Sequence, residues 1–164
     1  MVIQNCIDKI QKSGIDTSTE QDLNGFINYF EQHLINLHFT SEEMVFERVF
    51  AEYAVIQNHH GIYLKNEHEI LGEQVSFMKN NMNDVNVLTE KANEFVSTLE
   101  LHSHKEDTFL FPDIAEKVAN DTLDAVSKDC QKYMDENKQS NQEMMDLANN
   151  LQTKYGTEHK KEKL

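Results

Sequence analysis

The chain has 164 residues, a formal net charge of −14 and a single arginine, Arg48. That balance makes nucleic acid a poor partner, because phosphate contacts need a basic face, and an anionic membrane a poor one as well; it mainly favours solubility. One proline (Pro112), five glycines and no long alternation of apolar with polar residues indicate an all-α protein, a single domain over residues 1–164.

The first predicted helix is short, about Val2 to Lys12. Ser13-Gly14 ends it, and Asp16-Thr17-Ser18-Thr19 supplies capping residues for the next. The second runs from about Glu20 to Tyr53, with Leu23, Phe26, Ile27, Phe30, Leu34, Leu37, then Val45 or Phe46, and Val49 at helical spacing. The third, about His59 to Lys79, carries Leu64, Leu71, Val75 and Met78 on one side. Asn80-Asn81-Met82-Asn83-Asp84 reads as a polar turn. The fourth, about Val85 to Val118, carries Leu88, Ala92, Phe95, Leu99, Phe109, Leu110 and Ile114, and Pro112 should kink it or split off its last turn. The fifth, about Asp121 to Tyr155, is the most polar, with Leu123, Val126, Cys130, Tyr133, Met134, Met144 and Leu147 available for packing.

Short links between long amphipathic helices imply an antiparallel up-down four-helix bundle with an additional C-terminal helix. Residues 1–118 would form the motif-bearing bundle, 119–155 the extra helix and 156–164 a tail. Within that tail, His159-Lys160-Lys161-Glu162-Lys163 is the only basic cluster and reads as a solvated end. Cys6 and Cys130 form no CxxC pair and are expected as reduced thiols of a cytoplasmic protein. Neither a signal-peptide pattern nor a bilayer-spanning apolar run is present.

A short internal repeat stands out. Leu37-His38-Phe39-Thr40-Ser41-Glu42-Glu43-Met44-Val45-Phe46 aligns with Leu101-His102-Ser103-His104-Lys105-Glu106-Asp107-Thr108-Phe109-Leu110. Each copy has a histidine, a glutamate four residues on, and a second acid. The positions matter more than the likeness. Along the apolar stripe Phe30, Leu34, His38, Glu42, Phe46, two polar groups occupy places meant for hydrocarbon, and Phe95, Leu99, His102, Glu106, Phe109 repeats the arrangement. His68 falls between Leu64 and Leu71 on the third helix.

A buried carboxylate without a partner costs several kcal/mol, so such groups are neutralised or bound. Histidine and glutamate at i and i+4 share a helix face and can reach one metal or two adjacent ones. A lone histidine on a stripe is ordinarily hydrogen-bonded core, and a lone His/Glu pair is ordinarily a surface pair. Two such pairs plus a third inward histidine favour a metal instead: iron, manganese or zinc.

With these residues in view, the chain resembles the hemerythrin family, including bacterial hemerythrins and related cation-binding domains. His38-Phe39-Thr40-Ser41-Glu42-Glu43 is similar to the family's second-helix His-Phe-x-x-Glu-Glu. Glu67-His68-Glu69 is similar to its third-helix histidine motif, and His102 through Pro112 to its fourth-helix motif. The likeness covers roughly residues 1–118. It implies an antiparallel four-helix bundle around two irons, oxo- or carboxylate-bridged. Carried over by position, His38, His68 and His102 would be terminal ligands. Glu42 and Glu106 would be bridging carboxylates, with Asp107 in reserve for Glu106.

Three departures stand against the resemblance. The family has a first-helix histidine, and Gln4 occupies the matching place here. Either the first helix is truncated, or one iron is under-ligated, or an outside ligand completes it. Second, Leu64 replaces a histidine one turn before His68, while His59 and His60 lie about 12 Å away at about 1.5 Å per residue. They would begin the helix or sit near the mouth of the site, unless a kink brings His60 in. Third, His104 is extra and points away from His102; His33 reads as surface or filler.

The function these features imply is a non-haem iron protein that binds or senses dioxygen, nitric oxide or iron. Phe39, Phe46, Phe95, Phe109 and Leu71 would form the apolar wall around the open position, and the expected small partner is dioxygen or another diatomic. It is expected not to be an enzyme. The alternatives are a di-iron oxidase, peroxidase or iron-repair protein, and a metal-free helical interaction domain. Ferritin-like enzymes use Glu-x-x-His rather than the His-x-x-x-Glu found here.

Overall fold

A computed structural model of the chain describes residues 2–14 and 16–156. The basic cluster of the tail lies outside the described residues. Among the described residues the chain is all helix, with no strand, in six rods joined by short links.

Helix α1 (Val2–Ser13) buries Ile3, Cys6, Ile7 and Ile10. It stops at Gly14, whose φ of 78° suits a residue without Cβ, and the Gly14 N–H donates to the Ile10 carbonyl at 2.8 Å. Asp16 then caps α2. Its carboxylate accepts from the Thr19 N–H at 2.7 Å, while the Thr19 hydroxyl accepts from the Asp16 N–H at 2.9 Å. These reciprocal bonds satisfy two groups that a helix start otherwise leaves open.

Helix α2 is one rod in three parts, Thr17–Tyr29, Phe30–Phe39 and Thr40–Glu52, the middle part wound as a π-helix. Tyr53 breaks the helix (φ −125°, ψ 73°) and leads into α3, composed of Ala54–Ile56, a π-turn Gln57–Gly61, and Ile62–Asn80. Gly61 lets the start of α3 lie close against α2: a Cβ there would be 2.3 Å from the Phe50 ring. Asp84 caps α4 through the N–H groups of Asn86 and Val87. Helix α4 comprises Val85–Lys105, a π-turn Glu106–Leu110, and Phe111–Lys117.

The disturbance expected from Pro112 takes the form of that wide turn rather than a break. Proline has no N–H to donate one turn back, and the Phe111 N–H donates to the Glu106 carbonyl, five residues earlier. The expected fifth helix is two rods, α5 (Asn120–Glu136) and α6 (Lys138–Tyr155), separated at Asn137 (φ −103°, ψ 10°).

Both rods lie along α2, and their contacts step backward along α2 as α5 and α6 advance. Arg48 pairs with Asp129 at 3.2 Å, and the Tyr133 hydroxyl donates to the Asn36 carbonyl at 2.7 Å. Asn28 meets the Met144 sulfur at 3.7 Å, and Lys154 pairs with Asp22. Helix α1 sits on α4 through Gln4 with Asn93 and Gln11 with Thr89.

The Asp22 carboxylate also accepts from the Tyr155 hydroxyl at 2.5 Å. Burial works to raise the Asp22 pKa, but the bonds from Lys154 and Tyr155 outweigh it and hold it below the ordinary aspartate value. A folded pKa below the unfolded one stabilises the fold above the unfolded pKa, and that contribution disappears as pH falls through the folded pKa. Asp22→Asn is therefore expected to cost about 1–2 kcal/mol at neutral pH. The gap to wild type should narrow as pH drops below the normal carboxylate range. Urea melts across that range check this, and a gap independent of pH would contradict it.

The core has two apolar clusters. One gathers α1, the first part of α2, the later part of α3, the early part of α4, and Leu151 and Tyr155 of α6. The other gathers Phe46, Val49 and Phe50 of α2, Ile56 and Leu64 of α3, and Leu110 and Ile114 of α4. Between them in each of the three helices fall buried polar residues: Glu42, His68, and His102 with Glu106. Among the described residues no helix is long and apolar enough to cross a membrane. Cys6 and Cys130 are both free thiols; Cys6 is fully buried.

Candidate metal centre

Glu42, His68, His102 and Glu106 are 8, 4, 1 and 4 % exposed, and one ligand atom from each lies within 4.8 Å of all the others. Three helices supply them: α2 gives Glu42, α3 gives His68, and α4 gives His102 and Glu106 one turn apart. The two imidazoles meet edge to edge, Nε2 to Nε2, at 3.1 Å. Glu42 Oε2 lies 3.4 Å from His68 Nε2, and Glu106 Oε1 lies 3.3 Å from His102 Nε2. Those two oxygens are buried and accept no well-formed hydrogen bond.

An outer layer orients the rings. Glu43 Oε1 faces His68 Nδ1 at 3.1 Å, and Glu67 Oε2 faces His102 Nδ1 at 3.2 Å. An ionised carboxylate only accepts, so each ring donates from Nδ1. A neutral ring then presents its bare Nε2 lone pair inward, as in metal-ligating histidines backed by a carboxylate. Lys105 ion-pairs with Glu67 from outside. Phe39 stacks on His68 (centroids 4.0 Å apart, planes 6° apart) and meets His102 edge-on at 5.4 Å. Phe46 also stacks on His68, at 5.8 Å.

The site favours positive charge. Burial pushes the His102 imidazolium down, but the neighbouring Glu106 carboxylate, the bond to Glu67 and the charge of Glu42 outweigh it and leave His102 above its ordinary value. A cation offers the same compensation more fully. Two inward ring nitrogens 3.1 Å apart and two buried oxygens without hydrogen bonds form a donor set of imidazole and carboxylate, which suits a transition metal. The buried group can thus hold a metal ion.

The remaining expected residues are distributed otherwise. His38 is on the rim: its side chain is 47 % exposed, with Nε2 3.2 Å from Glu42 Oε1, and it is not among the four converging residues. The π-helix Phe30–Phe39 is the reason. More residues per turn shift the stripe: Leu37 and Phe39 are buried as expected, but Leu34 is only half-buried and His38 turns outward. Asp107 is exposed while Glu106 points inward.

The expected wall needs one correction. Phe109 is 52 % exposed, and Leu110 holds the buried place beside Glu106, because the π-turn displaces the stripe by one residue. Phe39, Phe46, Phe95 and Leu71 are buried. His104 is exposed, with Nδ1 3.3 Å from the Thr108 hydroxyl, and His33 stacks on Tyr29 at 4.9 Å. His60 does not join the buried group; it pairs with Asp113 at 3.1 Å. The Gln4 amide donates to Asn93 at 2.8 Å.

Glu43 and Glu67 stand inside the motifs, each next to a buried ligand candidate, but nothing in the sequence alone gives either a role. No family model, curated protein or solved structure matches this chain.

Proposed function

We propose that this is a hemerythrin-like, non-haem iron-binding protein, an antiparallel four-helix bundle with α5 and α6 added, that binds or senses dioxygen, nitric oxide or iron. One observation carries the reading: two buried imidazoles and two buried carboxylates converge, and the inward carboxylate oxygens accept no well-formed hydrogen bond. The motif likeness of residues 37–46 and 101–112 to the hemerythrin family points to iron and to a pair of ions.

The pair has support in the position of Glu42. Its Oε1 faces His38 and its Oε2 faces His68, so one carboxylate spans two imidazoles, as a bridging ligand would. His68, His102, Glu42 and Glu106 would hold the metal, with His38 completing one side from the rim. An iron with an open position supplies the capacity to bind a diatomic ligand. The protein's part is to fix the imidazole planes through Glu43 and Glu67 and to exclude water with Phe39 and Phe46. His-x-x-x-Glu rather than Glu-x-x-His, at both His38–Glu42 and His102–Glu106, favours binding over ferritin-like oxidation.

Metal analysis of chain purified without chelator tests this, together with an absorption spectrum taken before and after exposure to dioxygen and nitric oxide. The expected result is one to two irons per chain and a spectrum that changes reversibly with the gas. Protein that carries no iron and takes up none on anaerobic addition of Fe²⁺ would overturn it. Steady peroxide turnover well above free iron would shift the reading to an enzyme.

A further inference from the structure

We infer that His59, His60 and Asp113 form a second, outer site for a divalent transition-metal ion, separate from the buried group. The inference does not depend on that group being loaded. His59 and His60 lie in the π-turn Gln57–Gly61 at the start of α3, and Asp113 lies in the last segment of α4. One ligand atom from each is within 4.8 Å of the other two. In a wider turn consecutive side chains diverge less, so neighbours in sequence can face one target. The two imidazole rings stand 6.0 Å apart, centroid to centroid.

A plain hydrogen bond between His60 and Asp113, 3.1 Å long, would tie α3 to α4 without help. It does not involve His59, whose exposed ring nevertheless places a nitrogen within 4.8 Å of the His60 and Asp113 ligand atoms. Two imidazoles and one carboxylate are a donor set for zinc or ferrous iron, with positions left for water or another ligand. An open cavity of about 330 Å³, lined by His59, His60, Tyr63, Leu64, Lys105 and Phe109, adjoins the two imidazoles and leaves them open to an incoming ion. Exposed Tyr63 and Phe109 form part of its wall.

Two lysines bear on the charge. Lys105 is already engaged by Glu67. Lys117 Nζ lies 2.7 Å from Asp113 Oδ2 and competes with a cation for that oxygen, but its side chain is 41 % exposed and can turn into solvent. Lys117 first, and His60 second, hold the Asp113 carboxyl below its ordinary range, so it remains an ionised donor near neutral pH. Binding at the outer site is therefore weaker than at a closed structural site, and it is tuned by Lys117.

The experiment titrates Zn²⁺ into the full chain carrying Glu42→Gln and Glu106→Gln, which silences the buried group, and follows heat and zinc content. One Zn²⁺ per chain is expected. Adding His59→Ala and His60→Ala should weaken binding at least tenfold with helicity unchanged, and Lys117→Ala alone should tighten it several-fold. In the otherwise wild-type chain, His59→Ala with His60→Ala should remove one Zn²⁺ and leave the buried ion in place. That result would uphold the outer site even if the glutamine chain folded poorly. Absence of Zn²⁺ binding in the folded glutamine chain, or binding indifferent to His59 and His60, overturns the outer site and leaves the buried one untouched. Failure of the buried site alone would appear instead as wild-type chain that takes up only the His59- and His60-dependent ion.

Discussion

A chain in which Glu42 and Glu106 are both glutamine is expected to lose metal at the buried site entirely while keeping its helices. The two changes remove charge and leave shape nearly constant, so the effect isolates coordination from packing. In wild type, an ion held at a thousandfold excess over its dissociation constant adds about 4 kcal/mol to stability. For a chain of this size that corresponds to roughly 10 °C in the midpoint of thermal unfolding. The glutamine chain should show none of that increment.

Without metal the ordering should level or reverse. Glu42 and Glu106 crowd two acids into a buried space with two imidazoles, and removing both charges relieves the cost of holding them out of water and beside each other. The glutamine chain should therefore melt no lower than metal-free wild type. Thermal unfolding with and without iron, alongside metal content, checks both halves. Metal retained at full occupancy in the buried site would refute the assignment of these two carboxylates as ligands.

Phe39→Ala is expected to have the largest effect on stability at the site. Phe39 is 2 % exposed, lies face to face with His68 at 4.0 Å and touches His102 edge-on. Removing a buried phenyl ring costs about 3–5 kcal/mol, and the aromatic contacts contribute part of it. The His68 ring would also lose its closest stacking partner, leaving Glu43 at Nδ1 and the more distant Phe46 ring to orient it. Loss of such supporting contacts weakens metal binding by roughly 10- to 100-fold. Phe39→Leu separates the two effects: it should recover much of the stability, because volume is largely restored, but less of the affinity. Denaturant melts of metal-free protein and metal titrations of each variant make the comparison. Equal affinity in all three proteins would show that Phe39 acts on packing alone.

Much of the helical layout could be read from local chemistry. Asp16 with Thr19, Gly14, Asp84 and the polar turn before it mark ends through hydrogen bonds made within a few residues, so they survive any tertiary context. The inward placement of Glu42, His68, His102 and Glu106 was legible for a related reason. Each interrupts an apolar run, and burying that run takes the polar residue with it.

The three π-turns were not legible. Nothing in Phe30–Phe39 distinguishes it from ordinary helix, since the wide winding is set by packing against other helices rather than by propensity. Its consequence is a phase error that turns His38 to the rim, half buries Leu34 and, by the equivalent turn at Glu106–Leu110, exchanges Phe109 for Leu110. The break at Asn137 is of the same kind: a minor change of direction lets one polar strip follow the whole length of α2. The trio of His59, His60 and Asp113 was hidden by distance along the chain, because Asp113 stands 53 residues from His60 and carries no motif of its own.

The polar layer has a consequence for how the molecule breathes. It parts the interior into unequal compartments, with 18 buried side chains on one side and 8 on the other among the described residues. Regions resting on fewer buried contacts open at lower free energy than the whole. The smaller compartment includes Phe46, Leu64 and Leu110, so its loosening frees one flank of Glu42, His68 and Glu106 while the larger compartment stays shut. An ion can then enter or leave through one end of a molecule that never unfolds, and amide exchange at that end should slow when the site is filled.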